Sequence, residues 1–268
     1  MLELLTLTYM LAVAGGVLVG AISLPLVLSR STLFALTMTH SVLGGAILGI
    51  YLNAVFNLGV PVPMVATLTA LTLSILAAEL SERIFSEDVA IALTVTIATT
   101  ITIIFSYLTI QVSSTGLSEA WLYVAGTSAI ATVGDLTKMM TAAIIVAPLI
   151  HLISRELKYI AFDRDGATAM GLNVRVYRYL FFSLSALATS TLASTLGVLA
   201  THVLLAVPGA VAIRFGKKGS LTVSYAAAVI LALTGYLTAQ LLEIPPSGGI
   251  GLVSGAVILG LVIRHERR

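Results

Sequence analysis

The chain has 268 residues, 58% of them hydrophobic and 10% charged, with 14 Lys and Arg against 12 Asp and Glu for a net charge of +2. A soluble globular domain is about half apolar and a quarter charged, so this composition excludes one. The small charge excess points to no nucleic acid, and the absence of cysteine leaves neither a disulfide framework nor a thiolate metal site.

The first residues, MLELLTLTYM, carry no Lys or Arg ahead of the apolar run. They read as the start of a first span rather than as a cleaved leader. Apolar runs close to or beyond about 20 residues suit bilayer-crossing helices and exceed the roughly 10 residues of a barrel strand. The predicted spans are 4–28, 34–52, 61–80, 88–110, 138–154, 177–195, 197–213, 220–242 and 248–263. The expectation is a single all-α integral membrane domain over 1–268, a polytopic bundle of about eight to nine transmembrane helices.

In the second span Thr37, Ser41, Gly45 and Gly49 recur every four residues. Small residues on one stripe let helix backbones approach closely, which predicts a central place for this helix. More small residues, among them Ser247, Gly248, Gly249, Gly251, Gly255 and Gly260, gather around the last span, and Pro25, Pro148 and Pro208 interrupt apolar runs. Trp121 to Asp135 reads WLYVAGTSAIATVGD, and its apolar part, 121–133, is too short to cross. Its aromatic start suits a helix at the outer interface, and a re-entrant turn is the alternative if neighbours cover its backbone.

Arg155 to Arg178 then breaks the apolar sequence with eight of the 26 charged residues in 24 positions. Within it, Ala167 to Met170 is a helix-competent run closed by Gly171, a residue that ends helices in a left-handed turn. With the amino terminus outside, Arg30, Arg83, this loop, Arg214 to Lys218 and the Arg264 to Arg268 tail all face the cytoplasm. That puts 13 of the 14 Lys and Arg residues inside and Lys138 outside. The basic residues then serve orientation and contact with anionic lipid.

His40 and His202 are the ionisable groups nearest the middle of any predicted span, and His151 sits closer to the inner surface. Such groups face the bundle interior or a water-filled path. Neutral imidazole suits zinc, iron and related ions, so each histidine reads as a transient metal ligand or as a side chain hydrogen-bonded to a neighbouring helix. Met38 does not share a face with His40, because residues two apart on a helix point about 200° apart. The sequence holds no HExxH motif, no pair of membrane aspartates and no phosphate-binding loop, since Gly209 and Gly216-Lys217-Lys218 miss its spacing. Pro246-Ser247-Gly248 reads as a turn. If ATP drives this protein, another chain binds it.

Several motifs in series resemble the ABC-3 metal permeases, the membrane subunits of zinc, manganese and iron ABC importers. Ala35 to Gly49, ALTMTHSVLGGAILG, is similar to a family pattern close to GDALSHAVLPGIALG, with His40, Leu43, Gly45 and Gly49 in register. Ser86-Glu87-Asp88 resembles the family's charged turn. Asp163, Ala167, Gly171 and Leu172 match a loop pattern like DPELARALGL, and Gly197 to Ala212 is similar to GxLLxxALLxxPAAxA. Pro246-Ser247-Gly248 resembles the family's PTG turn. The resemblance covers most of the chain. It implies the metal-type ABC importer permease fold in the plasma membrane, a second permease copy, two cytoplasmic ATPase subunits and an extracytoplasmic metal-binding protein. It also implies that Asp163, Ala167, Gly171 and Leu172 form the element coupled to the ATPase, that His40 belongs to the metal path, and that no cofactor resides in this chain. In one departure, Leu36 stands where the family has an aspartate one helical turn before the histidine. Loss of that carboxylate leaves room for a metal chelate, such as a siderophore or cobalamin, as cargo; a gradient-driven secondary transporter is the lesser alternative, and the paired membrane carboxylates that would mark it are absent from the sequence.

Overall fold

The computed structural model describes residues 2–127, 131–215 and 220–266. Its helices are α1 Leu2–Leu28, α2 Phe34–Phe56, α3 Val62–Arg83, α4 Glu87–Val112, α5 Gly116–Ala125, α6 Val133–Phe162, α7 Arg164–Ala169, α8 Val174–Leu196, α9 Val198–Phe215, α10 Leu221–Leu242 and α11 Pro246–Glu266. Among the described residues, nine of them, all but α5 and α7, are long and apolar enough to cross a bilayer, and none of the described residues forms a strand. A helix satisfies its own backbone polar groups, which hydrocarbon cannot do.

The most deeply buried spans are α1, α2 and α8. α1 packs on α6, α9 and α10, while α2 packs on α3 and α4. A Cβ on Gly45 would lie 2.8 Å from the Ala66 Cα, so the small stripe of α2 lets α3 approach backbone to backbone. α1 has a stripe of its own that the sequence reading passed over. Cβ atoms on Gly16 and Gly20 would lie 2.7 Å from the Val229 Cα and 2.6 Å from the Tyr225 Cα of α10. Beside Pro208 of α9, the Gly209 N–H donates to the Ser23 hydroxyl of α1 at 2.7 Å.

Four expected boundaries are corrected. Span 138–154 is the middle of the longer α6, whose start is fixed at Val133 by a capping box between Thr132 and Asp135. The stretch 121–133 is not one helix: α5 covers its first part and ends before Gly126, at φ +92, and residues 128–130 lie outside the described ones. The polar island 155–178 is mostly helix, because α6 runs on to Phe162 and α8 starts at Val174. Pro246-Ser247-Gly248 forms the first turn of α11, where proline lacks only a donor the helix start leaves unused. The chain reverses just before it, with Glu243 at φ +54. Of the expected inner basic residues, Lys217, Lys218, Arg267 and Arg268 lie outside the described residues.

Candidate functional site

α8 and α9 run antiparallel around a one-residue junction at Gly197. Going up α8, Phe182 stacks on Phe34 and Thr189 meets Met38; coming down α9, His202 meets Thr39 and Gly209 meets Ser23. This reversal brings the two Thr-His dipeptides of the sequence, Thr39-His40 and Thr201-His202, to one place. The Thr39 hydroxyl lies 3.4 Å from His202 Nδ1. Both histidines are half-buried. Spacing alone gave no reason to join dipeptides so far apart in the chain.

Met38 is buried and accepts the Thr189 hydroxyl at 3.6 Å, so it turns from His40 towards α8. Leu36 lies one turn before His40, half-buried. Among the described residues no three of His, Cys, Asp and Glu gather as a cage. The two histidines bring imidazole nitrogens near hydroxyl groups, donor types that suit borderline divalent ions.

Above the pair, α5 packs against α2, α8 and α9. A Cβ on Gly126 would lie 2.6 Å from the Leu196 carbonyl, and one on Gly197 2.6 Å from that of Val124. Both glycines have φ near +90°, at +92 and +90, with ψ near 150°, a region only glycine occupies readily. Two helix ends thus meet back to back. Thr127 adds a hydroxyl bond to the Ser194 carbonyl at 2.9 Å. Beside this roof opens a cavity of about 350 Å³ lined by Glu119, Tyr123, Thr132, Asp135 and Lys138 among others. Burial pushes the Tyr123 phenol up to about 12, so it stays neutral.

At the opposite end Asp163 closes α6 and caps α7, its carboxylate accepting the Gly166 N–H at 2.9 Å. The cap starts the short helix at Arg164, earlier than its Ala167 to Met170 expectation. Gly171, at φ +84, ends it: its N–H donates to the Thr168 carbonyl and that of Leu172 to Ala167, the paired bonds of a Schellman turn. Ala167 is 1% exposed and faces inward, so it seats α7 rather than offering contact. Large apolar side chains are offered instead by Met170 at 65% and Phe162 at 93% exposure, neither of them singled out from sequence.

Nine helices of membrane length among the described residues, with a short helical knob at one end and a cavity at the other, define a polytopic membrane protein. The chain belongs to the ABC 3 transport family, whose model matches residues 1–265. It is 26% identical over 248 residues to the manganese transport system membrane protein MntC of Halalkalibacterium halodurans, covering 92% of this chain and 82% of that one. The manganese import system permease protein ScaB of Streptococcus parasanguinis is 28% identical over 212 residues, 77% of this chain and 70% of that one. Among solved structures, a chain of PsaBC from Streptococcus pneumoniae in complex with Fab superposes with a TM-score of 0.77 at 21% identity, over 96% of this chain and 90% of that chain. This last likeness concerns the fold.

Proposed function

We propose that this chain is the membrane-spanning subunit of an ATP-driven importer for a divalent transition metal, with manganese as first cargo and zinc or iron as further ones. The observation that carries the reading is the contact of His202 on α9 with Thr39, the residue beside His40 on α2. The manganese permeases among its relatives support the choice of ion. A bare divalent ion cannot cross hydrocarbon without ligands, and ligands that hold it too well do not let it leave. Two imidazoles with no carboxylate meet both demands.

In this reading the amino terminus is outside and the carboxyl terminus in the cytoplasm of a plasma membrane. An extracytoplasmic binding protein delivers the ion to the cavity of Glu119 and Asp135. α5 covers the histidines until the helices beneath it shift, and the ion then passes between α2 and α9. Two cytoplasmic ATPase subunits bind the ATP, one on each of two permease copies. Each docks on α7, where Phe162 and Met170 are the apolar anchors and the Asp163 cap and the Gly171-Leu172 turn hold the knob rigid.

The test is uptake of radiolabelled manganese, zinc and iron into vesicles holding the chain with its ATPase and binding protein. ATP-dependent uptake of a free ion is expected. A complex that hydrolyses ATP yet moves only a chelated metal overturns the free-ion reading, with Leu36 as its explanation.

A further inference from the structure

Glu82 stands at the inner end of α3 with its side chain 9% exposed, and two cations from different helices share it. Arg164, the first residue of α7, forms an ion pair with it. Arg178 of α8 donates from Nη1 to its Oε1 at 2.7 Å. Nη2 of the same arginine donates to the Ser81 hydroxyl at 3.1 Å and to Glu87 Oε2 at 3.2 Å, so one guanidinium bridges the turn from α3 to α4. Its carbon also lies 5.4 Å from the Phe182 ring centroid, and Phe182 stacks on Phe34 with centroids 3.9 Å apart. Phe34 begins α2, the helix that carries His40.

Arg178 is only 12% exposed. Charges this buried contribute little net stability, because desolvation offsets their attraction, but removing one partner strands the other. What such a planar guanidinium supplies is geometry: with Nη1 on Glu82 and Nη2 on Ser81 and Glu87, it fixes the relative position of the groups it joins. The half-exposed contacts of Glu79 with Arg83 and Arg175 lack that constraint. Besides its flanking chain and the buried seat of Ala167, α7 is held to the bundle by a charged link that continues, contact by contact, into α2.

We infer that Glu82 and Arg178 are positioning residues through which displacement of α7 reaches α3, α4 and, by Phe182 on Phe34, the helix of His40. The inference rests on the transport function proposed above. It requires that the link, and not only the covalent chain through α6 and α8, transmits the movement.

The experiment uses the full complex with ATPase and binding protein in liposomes. The chain has no cysteine, so Thr168→Cys on α7 and Phe56→Cys at the far end of α2 take a spin-label pair without background. The distance between labels is read without nucleotide and with a non-hydrolysable ATP analogue, and manganese uptake per ATP is measured alongside. The wild type is expected to change distance. Glu82→Gln and Arg164→Gln are each expected to lose that change and to drop uptake per ATP at least about fivefold while ATP hydrolysis persists. The double variant is expected to be no worse than the worse single one, as for members of one link. Arg164 is 48% exposed, so its variant decides the matter even if Glu82→Gln fails to fold. Variants that keep both the distance change and the uptake ratio, or that lose only assembly, overturn the link alone. A wild type with no nucleotide-dependent change overturns the ATP-driven reading, and the link with it.

Discussion

His202 on α9 places Nδ1 3.4 Å from the hydroxyl of Thr39, the residue next to His40 on α2. The contact pins one ring of the pair to the helix that carries the other. His40→Ala and His202→Ala should therefore each lower metal uptake, and the double variant should lose much less than the product of the two. Residues of one network deviate from additivity by about 0.5–3 kcal/mol. Initial uptake rates in vesicles of matched protein content check this, and full additivity would mean that the histidines act apart.

Leu36 offers a gain-of-ligand test. Leu36→Asp sets a carboxylate one turn from His40, where both can touch one ion. Residue 36 lies in the first turn of α2, where a charge is less costly than at the centre of a span, and bound metal offsets what cost remains. Manganese should bind more tightly and leave more slowly, so equilibrium binding rises while turnover falls. Calorimetry on the purified chain, together with uptake, measures both. Unchanged affinity would show that residue 36 does not face the path.

The exposed side chains beside α7 make a different prediction. Phe162→Ser and Met170→Ser should abolish or weaken co-purification of the ATPase while leaving the thermal stability of the isolated chain unchanged, because neither side chain is buried. Truncating an apolar anchor at the centre of an interface costs about 2 kcal/mol or more. Ala167→Leu should instead destabilise the chain itself, since that position is buried.

Close helix approach gives a stability test. Gly20→Val forces a side chain against the Tyr225 backbone, and overpacking of this kind costs about 1–3 kcal/mol. Gly255→Val meets nothing within 4 Å in the single chain and should be neutral there. Melting curves in detergent separate the two.

The spans were legible in the sequence because hydrocarbon imposes one rule on every residue of a crossing helix. The ends were less so. Thr132 and Asp135 start α6 through a reciprocal cap, and Asp163 starts α7 through another, whereas hydropathy averages over such single-residue effects. His40 stood out by its register in a motif and His202 by its depth in a span, but their neighbourhood was not legible: only the reversal at Gly197 brings His202 to Thr39. The charged residues that flank the spans stood out as clusters in the sequence. Which of them pair, as Glu82 does with Arg178, depends on helix neighbours that no local pattern encodes.

Asp163 is the single residue between α6 and α7, closing the one and capping the other. α6 has 30 residues, so it is a rod of about 45 Å. Its end at Phe162 is joined to the exposed knob without slack, and its other end supplies Asp135 and Lys138 to the wall of the cavity that Glu119 and Tyr123 also line. The rod works as a lever: a tilt of about five degrees at the knob swings the far wall by roughly 4 Å over such a length. Pro148, near its midpoint, is where the lever can bend instead, and there the arm would lose its reach.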